Sequence, residues 1–476
     1  MNQNQENLNL DLNNSDSYYL ESKLFKNEYR PIRKNTNQML NAYPDKKVLV
    51  KLRNVDIEYG SGVNKFRAIN DLSLNIYKGE VLGLVGESGS GKSTTGRAIV
   101  GLTPYSHGTI QLGEKLVPRK FKRGFKFGKK LKEYKSTLEY MANKVQMIFQ
   151  DPANSLNPNK NIEKVVSEGL VNLKNAKEIY LYNEDQRVFA KLYNELNNLN
   201  PQEYNKEFFE QVNLKLNINS KVAYDLLYVN LYNELKDKYA DTQMLKAFEE
   251  EKQNRDVISE YSEAKCRDIL VVQTLKSVGL DESVLKRFPL EFSGGQQQRI
   301  GISRSVILRP ELLVADEPIS ALDVSIQAQV VNIFNDFKDK YGLTILFIAH
   351  DLRMVEYISD RIAVIYKGVL LEIGETAQIM KNPIHPYTKS LLDAVPSIES
   401  KKGSLIGFKY DAKMHSYTQE RQPYWHNIGQ NHFVLAADDE IQKWLKGDYS
   451  SYIDEQEAKV DPQQLKKVLE LEGVKE

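Results

Sequence analysis

The chain has 476 residues, of which 41% are hydrophobic, so it is long enough for about three average domains and can bury a sizeable core. With 65 Lys and Arg against 64 Asp and Glu it has no overall basic field for nucleic acid, and its single cysteine, Cys266, excludes a disulfide framework and a four-cysteine metal site. No apolar run reaches the ~20 residues that a membrane-spanning helix needs, and the polar N-terminus lacks the apolar part of a signal peptide, so we expect an intracellular location.

The predicted elements begin after a polar extension. Residues 1–46 contain ten asparagines, a composition that predicts a disordered or loosely docked segment. From Val48 to Tyr59 apolar residues alternate with polar ones, with one change of register, as in a strand. Short unbroken apolar runs suit strands of a parallel sheet that is covered on both faces. These runs are Val81–Val85, Leu312–Ala315 and Thr344–Ala349.

Predicted helices alternate with those strands, and the alternation favours an α/β fold. The helical segments are Lys92–Val100, Gln296–Leu308 and Ser325–Lys340. Arg361–Glu372 is predicted to be a hairpin that turns at Lys367-Gly368. Beyond Pro396 the chain is polar, with short helices predicted near Asp438–Lys446 and Pro462–Leu471.

Two segments interrupt this pattern. Residues 115–135 carry ten Lys or Arg and one acid, which fits either an exposed loop or a surface for anionic lipid or an acidic partner. Residues 172–265 have apolar residues at loose helical spacing and predict an inserted helical subdomain. That insertion is either a solvated outgrowth or a contact surface for another protein. The remaining segments are 47–171, 266–381 and the C-terminal extension 382–476.

A glycine-rich loop between the strand Val81–Val85 and a helix is the strongest motif. Its members are Gly86, Glu87, Ser88, Gly89, Ser90, Gly91, Lys92, Ser93 and Thr94. Glycines let backbone N–H groups turn toward phosphate oxygens, and the helix N-terminus favours negative charge. Lys92 is expected to reach the β- and γ-phosphates, and the Ser93 hydroxyl to bind Mg²⁺.

Two further motifs complete the expected chemistry. The strand Leu312–Ala315 ends in Asp316 and Glu317, carboxylates suited to holding Mg²⁺ and to polarising an attacking water. The segment Ser293, Gly294, Gly295 and Gln296 opens a helix and predicts a second phosphate-binding tip. The nucleotide pocket at the glycine-rich loop does not require a second phosphate-binding segment. The tip therefore suggests a site that is completed between two subunits.

In this order, these motifs together with Gln150-Asp-Pro, Ser320-Ala-Leu-Asp323 and His350 resemble the nucleotide-binding domain of the ATP-binding-cassette family. The resemblance implies an antiparallel β-subdomain, a mixed or parallel core sheet and a helical subdomain. It implies an ATP- and Mg²⁺-dependent ATPase in which Gln150 contacts Mg²⁺ and the attacking water and His350 contacts the γ-phosphate. Asp323 matches an aspartate that communicates across a cassette dimer.

An aromatic residue before the loop is expected to stack on adenine. By resemblance this is Tyr59, with Phe66 as the alternative; a buried core aromatic is the competing interpretation of Tyr59. Phe292 stands where the family more often has leucine, and we expect it to point into its own helical subdomain.

The stretch from Asn382 to Pro396 resembles a sequence found after the cassette in oligopeptide and dipeptide importers, and His432-Phe-Val resembles the F-type subunit of oligopeptide permeases. The resemblance implies a D-type cassette partner, two membrane permease subunits, an external peptide-binding lipoprotein and a place on the cytoplasmic face of the membrane. The alternatives are an importer of another solute, such as a dipeptide or nickel, and a non-transport cassette ATPase of DNA repair or translation. Neutral charge and a single phosphate loop disfavour the last, so no nucleic-acid partner is expected.

Overall fold

The computed structural model describes residues 18–23, 26–60, 62–120, 128–320, 322–393, 410–415, 417–418 and 421–449. The chain forms two compact units. The first consists of Met1–Gln150, Glu311–Ser320 and Gln327–Glu476, and the second of Asp151–Pro310 and Ala321–Ile326. The predicted helix at Pro462–Leu471, the first 17 residues of the extension and residues 121–127 of the basic segment lie outside the described residues.

A mixed sheet of eight strands forms the centre of the first unit. The strands are β5 (Val81–Val85), β8 (Val145–Ile148), β9 (Leu312–Asp316), β10 (Thr344–Ala349), β11 (Arg361–Tyr366), β12 (Val369–Glu375), β13 (Tyr424–Gly429) and β14 (His432–Ala436). Their order is β13-β14-β12-β11-β5-β10-β9-β8, and the last five run parallel. Every residue of β5, β9 and β10 is buried, as the unbroken apolar runs predicted.

The C-terminal part of the chain extends this sheet. β11 and β12 form the predicted hairpin, and β12 pairs antiparallel with β14, which in turn pairs with β13. These last two strands were not predicted from the sequence. β14 pairs with β12, which lies more than 50 residues earlier in the chain, and the local pattern carries no sign of that pairing.

A second, antiparallel sheet has the order β4-β3-β6-β7. Its strands are β3 (Val48–Tyr59), β4 (Phe66–Tyr77), β6 (His107–Leu112) and β7 (Lys115–Leu116). The pairing of β3 with β4 shifts between Leu52 and Val55, where Asn54 has a positive φ of 49°. This bulge explains the change of register in the apolar pattern of β3.

Helices flank the sheets of the first unit. They are α1 (Thr36–Leu40), α2 (Lys92–Ile99), α3 (Gly128–Lys144), α13 (Val324–Tyr341, which begins in the second unit), α14 (Leu352–Glu356), α15 (Thr376–Lys381), α16 (Pro386–Asp393) and α17 (Asp438–Trp444). α17 confirms the helix predicted near Asp438–Lys446. α3 was not predicted: from Gly128 onward the basic segment is helical rather than a loop, with Thr137 and Met141 buried one turn apart.

The N-terminal extension is more ordered than its composition suggests. β1 (Tyr18–Lys23) and β2 (Lys26–Pro31) form an antiparallel hairpin. In α1, Met39 and Leu40 are buried, and the carbonyl of Leu40 accepts hydrogen bonds from the Asn75 side chain at 2.8 Å and the Tyr77 hydroxyl at 3.2 Å. The expectation of a disordered or loosely docked segment is therefore wrong for α1, because two apolar residues and one carbonyl suffice to fix it.

The second unit is helical. Its helices are α4 (Pro152–Ser155), α5 (Ile162–Leu173), α6 (Ala176–Leu199), α7 (Lys206–Leu216), α8 (Ser220–Tyr224), α9 (Tyr232–Lys238), α10 (Gln243–Ser259), α11 (Glu263–Ser277) and α12 (Gly294–Val306). A π-helical stretch, Asp225–Leu231, joins α8 to α9. No helix in the described ranges is both long and apolar enough to cross a membrane.

The helices from α6 to α10 share a core of their own, which includes Phe189, Leu227, Tyr228 and Phe248. The Glu263 carboxylate at the start of α11 accepts the backbone N–H groups of Ala176 and Lys177 at 2.5 and 3.0 Å. The start of α6 and the start of α11, near the two ends of this helical insertion, therefore lie side by side.

Candidate nucleotide-binding site

The glycine-rich loop leaves the buried end of β5 and enters α2. Gly89 and Gly91 have φ values of +78° and +101°, a region that L side chains rarely adopt. A Cβ on Gly86 would lie 2.1 Å from the Ile365 carbonyl oxygen of β11. The loop can therefore fold this tightly against the sheet only with glycine at these positions.

The exposed part of the loop is Glu87, Ser88 and Gly89, whereas Ser90 is 3% exposed and Lys92 is 4% exposed. The Oγ atom of Ser90 is buried without a hydrogen-bond partner among the described residues. Lys92 Nζ donates to the carbonyl oxygens of Gly86 at 2.7 Å and Glu87 at 2.8 Å. Burial lowers the pKa of Lys92, and the carboxylates of Glu317, Asp316 and Glu87 oppose that effect.

Asp316, at the end of β9, lies beside Ser93 of α2. Its Oδ1 atom accepts the Ser93 hydroxyl at 2.6 Å. Its Oδ2 atom is buried without a hydrogen-bond partner among the described residues, and the nearest cation is the Arg97 guanidinium at 3.8 Å. Burial raises the pKa of Asp316, whereas the hydrogen bond from Ser93 and the positive charge of Arg97 lower it. A buried carboxylate with an open oxygen next to a hydroxyl is a donor set that fits a divalent cation.

Glu317 is the next residue, and the backbone turns there. Its φ is +45°, and its N–H donates to the Ile348 carbonyl of β10 at 3.0 Å. Its Oε2 atom accepts the side-chain amide of Gln150 at 3.0 Å and lies 3.6 Å from His350 Nδ1. The structure thus brings together Gln150, Glu317 and His350, each of which follows a different parallel strand, because the carboxyl ends of those strands meet at one edge of the sheet.

Tyr59 and Phe66 stand opposite each other across β3 and β4. Tyr59 is 45% exposed and Phe66 is 64% exposed. The competing interpretation of Tyr59 as a buried core aromatic is therefore wrong. Because directly opposed residues share one face of a sheet, both rings are presented together.

The second predicted phosphate tip lies in the second unit. Ser293 caps α12: its hydroxyl accepts the Gln296 N–H at 3.4 Å, and the Gln296 side chain accepts the Ser293 N–H at 3.1 Å. Ser293, Gly294 and Gln296 are exposed, Gly295 is half-buried, and Phe292 is buried as expected. Asp323 is exposed and accepts the Ile326 N–H at 3.1 Å.

Three contacts of this site were not predicted from the sequence. Arg97 lies near Asp316, the Gly368 N–H donates to the Ser90 carbonyl at 2.9 Å, and the Glu87 N–H donates to the Tyr387 hydroxyl at 2.7 Å. Arg97 lies four residues after Ser93, on the same face of a helix, and that spacing could have signalled it. The other two contacts join segments nearly 300 residues apart and leave no local signal.

Comparison with known families places these features in two modules. The ABC transporter family matches residues 69–320, which contain the loop, Gln150, Ser293 and Asp316. The C-terminal region of oligopeptide/dipeptide transporters matches residues 371–419. Among solved structures, the dimeric ATP-binding cassette MJ0796 with ADP and Pi matches with a TM-score of 0.44 and 19% identity, over 69% of this chain and 99% of that one.

Curated relatives match over most of their length. The oligopeptide transport ATP-binding protein AmiF of Streptococcus pneumoniae serotype 4 is 37% identical over 84% of this chain and 98% of its own. OppF of Streptococcus pyogenes serotype M1, with the same description, is 37% identical over the same shares. The dipeptide transport ATP-binding protein DppF of Lactococcus lactis subsp. cremoris is 38% identical over 84% of this chain and 97% of its own. The chain therefore belongs to the ABC transporter family, among its oligopeptide and dipeptide transport ATP-binding proteins.

Proposed function

We propose that this chain hydrolyses ATP to drive the uptake of oligopeptides through a membrane importer. The observation that carries the proposal is the meeting of Gln150, Glu317 and His350 beside the glycine-rich loop. The similarity to AmiF and OppF, whose names specify oligopeptide transport, supports the cargo class.

The residues around the loop fit a magnesium nucleotide. The loop N–H groups, Lys92 and Thr94 would hold the phosphates, and Tyr59 or Phe66 would stack on adenine. Ser93, Asp316 and Gln150 would hold Mg²⁺, and the open Oδ2 atom of Asp316 supports this assignment. Bound Mg²⁺ would neutralise charge on the phosphate oxygens.

Glu317 is the proposed general base. Water attacks the γ-phosphorus, the bond from that phosphorus to the bridging oxygen of ADP breaks, and the water proton moves to the Glu317 carboxylate. Gln150 holds the carboxylate oxygen from one side, while the half-exposed His350 is positioned to contact the γ-phosphate. Lys92 stabilises the charge on the transferred group.

The exposed tip Ser293–Gln296 and the exposed Asp323 support a site completed by a second cassette subunit. In the proposed assembly the partner is a D-type cassette, and two permease subunits hold both cassettes at the cytoplasmic face of the membrane. A peptide-binding lipoprotein delivers the cargo from outside. ATP binding closes the cassette pair, and hydrolysis reopens it.

A dipeptide importer is the second candidate. The similarity to DppF, described as a dipeptide transport protein, is the observation that favours it. Uptake of labelled dipeptides and of tetrapeptides by cells that lack this chain, with and without the restored gene, separates the two cargoes.

The variant Glu317→Gln tests the proposal. We expect ATP hydrolysis to fall by about 100- to 1,000-fold, because the base is lost while the phosphate-binding groups remain. ATP affinity, measured with a fluorescent analogue and Mg²⁺, should be retained. The matched control is Glu311→Gln, since Glu311 precedes the same strand and pairs with Lys144 at 3.5 Å, away from the loop.

The same variant should trap its partners. Purified from its own cells in mild detergent with ATP and Mg²⁺, it should carry a second cassette subunit, two multi-span permeases and a peptide-binding lipoprotein, identified by mass spectrometry. Recovery of ribosomal or DNA-associated proteins alone would refute the importer and leave the ATPase activity.

A further inference from the structure

The C-terminal region touches the phosphate loop through one side chain. Tyr387 is fully buried at the start of α16, and its hydroxyl accepts the backbone N–H of Glu87 at 2.7 Å. Glu87 belongs to the segment matched by the ABC transporter family, whereas Tyr387 belongs to the segment matched by the C-terminal region of oligopeptide/dipeptide transporters. This hydrogen bond therefore joins the two modules at the nucleotide site.

The peptide group that Tyr387 holds is also the one that holds Lys92. The N–H of Glu87 and the carbonyl of Gly86 belong to one planar unit, and that carbonyl accepts Lys92 Nζ at 2.7 Å. A planar peptide cannot turn its N–H without turning its carbonyl. The Tyr387 hydroxyl thus sets the orientation of the group that positions the lysine amine.

The next peptide group adds to this link. The carbonyl of Glu87 accepts both Lys92 Nζ at 2.8 Å and the Ser90 N–H at 3.1 Å. On its other side, the loop is held by the Gly368 N–H on the Ser90 carbonyl at 2.9 Å. The loop conformation is therefore determined by bonds from two separate segments of the C-terminal half.

Tyr387 itself cannot move freely. Its ring packs on Tyr366 and Tyr410 at centroid distances of 4.6 and 5.3 Å, and its backbone N–H donates to His385 Nδ1 at 3.1 Å. The N–H of His385 donates to the buried Glu372 carboxylate of β12 at 3.1 Å. The hydroxyl is consequently held in place by the core sheet.

We propose that Tyr387 is a positioning residue for ATP: its hydroxyl orients the Gly86–Glu87 peptide, and through that peptide it presets Lys92 for the phosphates. The proposal rests on the ATP-binding function proposed above. In this role the C-terminal region of oligopeptide and dipeptide importers acts on the nucleotide site of its own cassette.

Tyr387→Phe in the full-length chain is the test, because it removes only the hydroxyl. We expect the Kd and KM for ATP with Mg²⁺ to rise by about three- to tenfold, since a backbone N–H loses its partner. The kcat at saturating ATP should change by less than about twofold, because bound phosphates restore the loop. In the nucleotide-free protein, the Glu87 amide should exchange its hydrogen faster than in the wild type.

The matched control is Tyr410→Phe. Tyr410 lies in the same aromatic cluster, but its hydroxyl pairs with His415 Nε2 at 2.7 Å and does not contact the loop. It should leave ATP affinity and Glu87 exchange unchanged. Emission from Trp444, which packs on His385 in that cluster, checks that both variants keep the fold.

Equal ATP affinity and equal Glu87 exchange in wild type and Tyr387→Phe would overturn the inference while leaving the proposed function intact. A wild-type chain that binds no ATP would instead refute the proposed function. In that case Glu87 exchange, which needs no nucleotide, still decides whether Tyr387 orders the loop.

Discussion

His385 is a buried histidine whose neutral form the fold requires. Its Nδ1 atom accepts the N–H of Tyr387, so that nitrogen cannot carry a proton. Burial lowers the pKa of His385 well below 6.5, and the neighbouring His415 lowers it further. Tyr410 and Trp444 cover the ring, while the Glu372 carboxylate faces the backbone N–H of His385.

This arrangement predicts a loss of stability in mild acid. Above about pH 7.5 the histidine is neutral in both the folded and the unfolded chain, so its contribution to stability is complete. At lower pH His385 takes up a proton in the unfolded chain, whereas in the folded chain it stays neutral. We expect protonation of His385 in the unfolded chain to reduce the free energy of unfolding by roughly 1 kcal/mol between pH 7.5 and 5.5.

The measurement can use the tryptophans. The chain has two, Trp425 and Trp444, and both are buried in the C-terminal region, so their emission during urea unfolding reports on that region. In His385→Asn the amide oxygen can still accept the Tyr387 N–H but does not titrate. Its unfolding should therefore depend less on pH than that of the wild type, and an identical dependence would contradict the prediction.

Residue patterns predicted part of the site and missed the rest for a physical reason. Lys92, Asp316 and His350 each stand at or next to the end of an element whose apolar run or glycines are visible locally. The Tyr387 hydroxyl and the Gly368 N–H instead contact backbone groups of the loop nearly 300 residues away, and backbone groups have no side-chain signature. Proximity of this kind is created only when the chain folds.

At the scale of elements, α6 and α10 of the insertion are joined by two ion pairs of different burial. Asp185 and Arg255 are buried, with Nε–Oδ1 at 2.7 Å and the Tyr228 hydroxyl donating to the same carboxylate at 3.2 Å. Arg187 and Glu251 bridge the same two helices at 2.8 Å, but the Arg187 side chain is 52% exposed.

This contrast predicts unequal effects of the same substitution. Arg255→Met leaves a buried carboxylate without its cation and should destabilise the insertion by about 3–5 kcal/mol. Arg187→Met, the matched control, should change stability by less than about 1 kcal/mol, because water screens the exposed pair. Hydrogen exchange of α6 and α10 measures both, and similar effects of the two variants would contradict the argument.

Elements with strong local patterns were predictable, and those fixed by packing were not. The buried strands β5, β9 and β10 and the helices α2, α12 and α13 follow from apolar runs and periodicity. α1 and β14 depend on distant partners, which are Asn75 for α1 and β12 for β14. Composition alone pointed to disorder where two buried side chains, Met39 and Leu40, order the chain.

Across the whole molecule, the N-terminal extension and the C-terminal strands are bonded to each other. Both backbone groups of Trp425 are engaged: its N–H donates to the Lys34 carbonyl at 3.2 Å, and its carbonyl accepts the Asn35 side chain at 2.8 Å. A few residues later, the carbonyl of Leu40 accepts hydrogen bonds from the side chains of Asn75 and Tyr77 in β4. The extension thus bridges β13 and the antiparallel sheet.

Deleting residues 1–46 should therefore destabilise the first unit by at least about 2 kcal/mol, because several polar groups lose their partners together. Deleting residues 1–17 is the control and should have a much smaller effect. Urea unfolding followed by tryptophan emission measures both truncations, since Trp425 itself lies at the contact. Equal midpoints for the two would show that the bridge contributes nothing.

The neighbouring ends of the helical insertion also bear on how the sheet assembles. β8 and β9 pair directly, yet about 160 residues separate them, and the inserted residues slightly more than double that interval. For a flexible chain the added length would make closure less favourable by only about 0.8 kcal/mol. Once the Glu263 carboxylate binds the start of α6, the two ends of the insertion are held together. The insertion then adds almost nothing to the loop-closure entropy that the pairing of β8 with β9 must overcome. The length of the insertion can then vary with almost no effect on the rate at which β8 and β9 pair.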